Sequence, residues 1–311
     1  MKYGFDSKLL EQIENASKGK KRKIAAFDFD NTCVLGDIGQ SFEHYLIRKL
    51  GYKFEDPRFW ELIHPDDGRE VLKDLVSKIN GDQEHELYPC LVAELNSIYM
   101  RKLLREGKYA AYSWAVLLHV GLEIQELERL SAHALKEELL VNRIHEKWTD
   151  LEGKEISIER GVRPFKEIFK IMEWLKEREF EIWVVSASNW WTVKVTAGSI
   201  FGVPPERIIA MKNKVNQDIM TSIIDPPVMY REGKREGIKK HIGEIPIVAF
   251  GDTVTDIEML EHAIVGVAFD RGNKEFKEAA IKNKWWMQEQ STLTPIHEVN
   301  SYIKTLDENY L

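Results

Sequence analysis

With 311 residues, 43% of them apolar and 31% charged, the chain can bury one large core or two moderate ones. A net charge of −7 argues against wholesale nucleic-acid binding, and two cysteines, Cys33 and Cys90, make no disulfide framework. Met1 to Glu14 mixes Asp6, Lys8, Glu11 and Glu14 with its apolar residues, unlike a signal peptide, and no apolar run is long enough to span a bilayer, so a cytoplasmic protein is expected.

In chain order, the basic run Lys18 to Lys23 comes first and reads as a solvated approach to a buried strand, Ile24 to Asp28. That strand ends in Asp28-Phe29-Asp30-Asn31-Thr32. About 130 residues then pass before the next strand, and their periodicity is helical. Ile38, Phe42, Tyr45, Leu46 and Leu50 form one face closed by Gly51. Val71, Leu72, Leu75, Val76 and Ile79 form another, closed by Gly81. Further faces come from Leu91, Leu95, Ile98 and Leu103, and from Leu127, Leu130, Ala134, Leu135 and Leu139.

Pro164 then reads as the first residue of a helix carrying Phe165, Ile168, Phe169, Met172 and Leu175. Strands are expected at Glu181 to Ser186, Arg207 to Met211, Ile247 to Phe250 and Ile264 to Phe269, with a helix at Asp256 to His262 and a short hairpin or irregular excursion between Lys212 and Gly233. Short apolar strands alternating with helices imply an α/β fold with a parallel, Rossmann-like sheet covered on both faces. Residues 1–35 and 159–311 would form that core. Residues 36–158 would form an all-helical cap subdomain inserted into it, placed to close over the strand ends.

Chemistry gathers where those strands end, which is where ligands sit in such sheets. Carboxylates two apart on an extended chain project to the same side, so Asp28 and Asp30 form a close pair of anions. Ser186 ends the second strand, Lys234 opens a helical stretch, and Gly251-Asp252-Thr253-Val254-Thr255-Asp256 brings two more carboxylates. Asp28, Asp30 and Asp252 converging on apolar strand ends would repel one another without a hard cation.

In order and placement these four segments resemble the motifs of the haloacid dehalogenase superfamily, from Ile24 to about Asp270. The resemblance implies that Asp28 is a nucleophile forming an aspartyl-phosphate and that Asp30 is the general acid and base. It implies Mg²⁺ held by Asp28, the Asp30 main-chain carbonyl and Asp252, with Asp256 in support. Thr32, Ser186, Ala187 and Lys234 would hold phosphate or fix the loop, with Lys212 competing for the lysine's role.

An acid two residues after the nucleophile fits a phosphatase, since the superfamily's dehalogenases do not need one. The insertion after the first motif resembles the cap of the phosphoserine phosphatase branch, and Asp28-x-Asp30-Asn31-Thr32 with Ser186-Ala187-Ser188 is similar to phosphorylcholine phosphatases. The resulting expectation is a Mg²⁺-dependent phosphatase for a small phosphomonoester, an amino-alcohol phosphate such as phosphocholine or phosphoserine. Neither nucleic acid nor membrane is an expected partner. Asp37, Arg69, Trp190 and Trp191 are the candidates for substrate specificity, and the cap aromatics Trp60, Tyr88, Tyr109, Tyr112, Trp114 and Trp148 are assigned mainly to packing. A phosphotransferase or mutase with the same nucleophile is the second enzyme reading. A regulatory protein binding a phosphate ligand or nucleic acid is the reading from another class.

Overall fold

The strand begun by the basic run occupies Lys23–Phe27 (β1), and Ile24 to Phe27 are fully buried. Its alternate residues pack against opposite layers: Ala25 and Phe27 join one apolar cluster, Ile24 and Ala26 the other. The structure, a computed structural model, describes residues 4–311. Ten further strands follow: Val34–Leu35 (β2), Ile144–Thr149 (β3), Glu155–Arg160 (β4), Arg163–Pro164 (β5), Phe180–Asn189 (β6), Ile208–Asn216 (β7), Ile219–Asp225 (β8), Val248–Gly251 (β9), Val265–Asp270 (β10) and Trp286–Glu289 (β11).

Seven of these form one sheet in the order β11-β10-β9-β1-β6-β7-β8, parallel except for the antiparallel β7–β8 hairpin at one edge. β1 lies between β6 and β9, in register at Ala25↔Ile182 and Ala25↔Val248. From β1 the chain builds outward in both directions, so a crevice opens beyond the strands' C-terminal ends at this switch in order. Phe27 and Phe250 stack across β1 and β9 with ring centroids 4.3 Å apart.

The insertion departs from the all-helical expectation. Helices cover Ile38–Arg48, Pro57–Glu61, Arg69–Ile79, Tyr88–Glu106, Lys108–Leu117 and Ile124–Leu140, but an antiparallel hairpin, β3–β4, closes the excursion. Its exposure alternates residue by residue, with Ile156 and Ile158 on the more buried side, a period-two pattern that a long stretch of charged residues obscures. Phe42, Leu46, Phe59, Leu72, Leu91 and Leu127 belong to the insertion's own apolar cluster. Its last helix also serves the core: Leu135 and Leu139 join the core cluster, and Ser131 meets Thr192 of the helix Trp190–Phe201 at 3.0 Å.

The return to the core is tied down by buried charge. Glu138 accepts from Arg160 Nε at 2.8 Å and from the Gly161 amide at 2.6 Å, while Arg163 donates to the Glu138 and Val141 carbonyls. Pro164 is not the first residue of a helix. It pairs with Val34 in the β2–β5 ribbon, where a residue without an N–H is tolerated, and the helix begins at Lys166. Among the described residues no helix is long and apolar enough to cross a membrane.

Candidate active site

The Asp28 amide donates to the Phe250 carbonyl at 2.9 Å, which carries the β1–β9 pairing one residue past the strand and fixes where the Asp28 side chain leaves the sheet. Asn31 then takes a left-handed conformation, φ 59°, and its amide donates to the Gly36 carbonyl, turning the chain back toward β2. The turn delivers Asp30 against the start of the helix Ile38–Arg48. Asp30 Oδ1 accepts from the Ile38 amide at 2.6 Å, and its Oδ2 accepts from Ser188 Oγ at 2.7 Å. Burial, then the charges of Asp37 and Asp28, push the Asp30 carboxyl well above the usual range, with the Ser188 and Ile38 bonds pulling part of the way back.

Lys234 lies fully buried among the acids. Its ammonium donates to Asp28 Oδ1 and to Asp256 Oδ1, both at 2.5 Å. Burial alone would favour a neutral amine, but the Asp256 and Asp28 carboxylates outweigh it and hold the ammonium well above its ordinary value. The approach of the chain here depends on Gly233. A Cβ at that position would lie 1.7 Å from the Val228 carbonyl oxygen, so the helix Glu232–His241 can begin this close to the preceding loop only without a side chain. Asp256 Oδ2 accepts from the Asp252 and Thr253 amides, both at 3.1 Å, closing the loop after β9. Burial and Asp28 push the Asp256 carboxyl up to about 6 against the pull of Lys234.

Oxygens of Asp28, Asp252 and Asp256 lie within 4.8 Å of one another, all buried. Burial first, and then Asp28 and Asp256, push Asp252 well above the carboxylate range. Arg271, which follows β10, donates to Asp252 Oδ2 at 2.8 Å. An all-oxygen, acidic and buried set of this kind fits a small hard divalent cation, whose charge would relieve the repulsion that raises Asp252.

Asp28, Asp30, Asp37, Ala187, Lys234 and Asp252 line one cavity of about 380 Å³ between the sheet ends and the insertion. Ser186 stands behind that wall: its hydroxyl is fully buried, accepts from the Ser188 amide at 3.1 Å and lies 3.5 Å from Asp30 Oδ2. Ser188, two residues on, reaches the cavity itself. Thr32 does not touch Asp30; it donates to Asp252 Oδ1 at 3.1 Å, joining the first and last motifs. Asp37 caps the helix Ile38–Arg48 through the Gln40 amide at 2.8 Å.

The other specificity candidates are elsewhere. Arg69 donates to the Ile63 carbonyl, Trp191 packs in the insertion's apolar cluster, and Trp190 donates to the Ile208 carbonyl beneath Lys212, whose ammonium stands 3.8 Å from the ring centroid. Lys212 is therefore engaged outside the cavity, and Lys234 is the lysine among the carboxylates. Sequence reasoning passed over Ser188, Arg271 and Glu43, all on the cavity wall. Ser188 was within the Ser-Ala-Ser motif and could have been weighed there; Arg271 and Glu43 carry no local signal.

A family model described as haloacid dehalogenase-like hydrolase matches residues 22–263. A search of the curated proteins finds no match to the sequence. Among solved structures, a conserved functionally unknown protein from Anaerococcus prevotii DSM 20548 aligns over 96% of this chain and 98% of its own, at 19% identity and a TM-score of 0.78. A protein with unknown function from Bordetella pertussis Tohama I aligns over 87% of this chain and 100% of its own, at 15% identity and a TM-score of 0.59. A phosphoserine phosphatase, as its phospho-aspartyl intermediate analogue, aligns over 91% of this chain and 99% of its own at 16% identity and a TM-score of 0.47. The first two likenesses show a shared fold along nearly the whole chain.

Proposed function

The chain belongs to the haloacid dehalogenase-like hydrolase family, and from that membership we propose a Mg²⁺-dependent phosphatase that hydrolyses a small phosphomonoester, an amino-alcohol phosphate, through an aspartyl-phosphate on Asp28. The observation that carries the reading is Asp30. A buried carboxyl two residues after the nucleophile, raised in pKa and aimed by Ser188 and Ile38, is what a general acid for an alkoxide leaving group requires.

In the first step the free Asp28 oxygen attacks phosphorus, the ester P–O bond breaks, and the Asp30 proton passes to the departing alkoxide. In the second, Asp30 takes a proton from water, the hydroxide formed attacks phosphorus, the acyl phosphate P–O bond breaks, and Asp28 is regenerated as a carboxylate. Proton transfer by such a group contributes on the order of 10²- to 10⁴-fold. Lys234 holds Asp28 in place and offers positive charge beside the phosphoryl oxygens. Asp28, Asp252 and the Asp30 carbonyl would hold Mg²⁺, which supplies the charge that lets an anionic nucleophile approach an anionic ester.

A cavity walled in part by the insertion supports a small substrate over a phosphorylated protein or nucleic acid. The test is release of inorganic phosphate from an aryl phosphate and from a panel of small esters, with Mg²⁺ and with chelator. Phosphate release that stops with chelator and in Asp28→Asn supports the reading; no turnover of any ester overturns it. Measuring free phosphate against alcohol-transferred product separates hydrolysis from transfer to an acceptor.

A further inference from the structure

Glu43 lies on the helix Ile38–Arg48 and lines the same cavity as Asp28 and Lys234, its side chain 18% exposed. Two groups hold its carboxylate. The Tyr52 hydroxyl donates to Oε2, and His119 Nε2 lies 2.7 Å from Oε1. The tautomer of His119 follows from its other neighbour. Asn189 Oδ1 accepts from the Trp191 and Thr192 amides as a helix cap, which turns Asn189 Nδ2 toward His119 Nδ1 at 3.0 Å. Nδ1 therefore accepts, the ring proton sits on Nε2, and it is donated to Glu43.

Burial, with the Glu43 charge, pushes the Tyr52 hydroxyl well above its ordinary value, so it too remains a donor. A carboxylate that accepts from these two donors has lone pairs left over toward the cavity. Among the described residues its ion-pair contact is with this uncharged histidine; Lys234 is answered by Asp28 and Asp256, Arg271 by Asp252. Lys108 shares the cavity wall without pairing to it. A largely buried anion with neutral donors behind it and a cavity before it lacks a cation.

Building on the phosphatase reading, we propose that Glu43 is the specificity residue for the leaving alcohol and receives a protonated primary amine on it. The remaining lone pairs of the carboxylate need N–H donors, and a trimethylammonium has none. The neighbouring phenols of Tyr99 and Tyr112 stay uncharged because burial raises both, so these two rings add no competing charge beside the amine. The substrate class is the phosphate monoester of a small primary amino alcohol.

The experiment compares 2-aminoethyl phosphate, propyl phosphate and phosphocholine as substrates, the first two nearly equal in size. Wild-type protein is expected to show a kcat/KM for 2-aminoethyl phosphate on the order of 10²-fold above that for propyl phosphate, and above that for phosphocholine. Glu43→Gln is expected to remove most of that ratio. Calorimetric titration of Asp28→Asn with the same three esters reads the preference without turnover and without disturbing Glu43. A wild-type preference for propyl phosphate or phosphocholine overturns the proposal, as does a folded Glu43→Gln that keeps the ratio. Turnover of all three esters without preference overturns the proposal and leaves the phosphatase reading standing; no turnover of any ester overturns both.

Discussion

Ser188 Oγ donates a 2.7 Å hydrogen bond to Asp30 Oδ2, so the C-terminal end of β6 sets both the direction and the proton affinity of the carboxyl two residues after Asp28. Because that bond lowers the Asp30 pKa, losing it raises the pKa further. Asp30 must be protonated to serve as the acid, and its protonated fraction would then persist to higher pH. Ser188→Ala is expected to move the alkaline limb of the pH–rate profile upward and to lower kcat roughly tenfold through lost aim. A pH–rate profile that superimposes on the wild type would sink this role.

Gly39 stands where the cap's first helix meets that serine. A Cβ there would lie 2.5 Å from Ser188 Oγ. Gly39→Ala should therefore displace Ser188, reproduce the direction of the Ser188→Ala profile, and cost about 1–3 kcal/mol of stability by urea denaturation. The two changes should be non-additive in activity, since they break one contact. Additive losses would mean that the alanine acts elsewhere.

Asp28 and Lys234 are neighbours with opposite expected effects on stability. Asp28→Asn removes a charge from a crowd of acids, so turnover should vanish while the melting temperature holds or rises. Lys234→Ala leaves Asp28 and Asp256 without their buried cation, and a loss of about 3–5 kcal/mol is expected. Thermal melts of the two variants side by side decide it.

Divalent cation should raise the melting temperature of the wild type and leave that of Asp252→Asn unmoved. Arg271 occupies Asp252 Oδ2 at 2.8 Å, so it competes for the same oxygen. Titration calorimetry of Arg271→Ala with Mg²⁺ should give tighter binding than the wild type; weaker binding would show that the arginine helps to organise the site.

Glu146, on β3, tests the cap's stability rather than its chemistry. Burial pushes its carboxyl up, but the His44 bond and the charges of His44, Arg160 and Arg48 prevail and bring it down to about 2. A depressed pKa stabilises the folded state above the ordinary carboxylate range, and the benefit fades as pH falls toward 2. The stability gap between wild type and Glu146→Gln should be open at pH 7 and narrow steadily below about pH 4.5. A gap independent of pH would assign the effect to packing.

The clustered carboxylates were legible because their signal is local: Asp28, Asp30 and Asp252 each follow closely on a short buried apolar run, and a strand ending in acids has few structural uses. The sheet was legible for the same reason. What escaped was set by distance in the chain. Ser186 and Ser188 stand two apart, a spacing that puts both on one side of a regular strand, but the register of β6 against β7 shifts between Val185 and Asn189, and only Ser188 lines the cavity. Trp191 sits beside the crevice in sequence, yet the start of a helix swings it into the insertion's core. Glu43 is an ordinary helical acid until Tyr52 and His119 converge on it. The β3–β4 hairpin did leave a trace, the alternation of Ile156 and Ile158 near Gly153, which the surrounding helices overshadowed.

The two-residue ribbon β2–β5 is the base of the insertion: Val34 faces Pro164 and Leu35 faces Arg163. The chain between these pairs departs from the sheet and comes back to it through adjacent points. To the sheet, an excursion with its ends already joined resembles a short turn, because closing it costs little more chain entropy as it lengthens. The outer helices of the insertion can thus change in length and content while Asp28, on the near side of the ribbon, keeps its position; Asp30 stays tied to the first turn of the insertion through the Ile38 amide. Four paired residues at the ribbon, with the insertion's last helix packed on the core, hold the insertion over the strand end that carries Asp28.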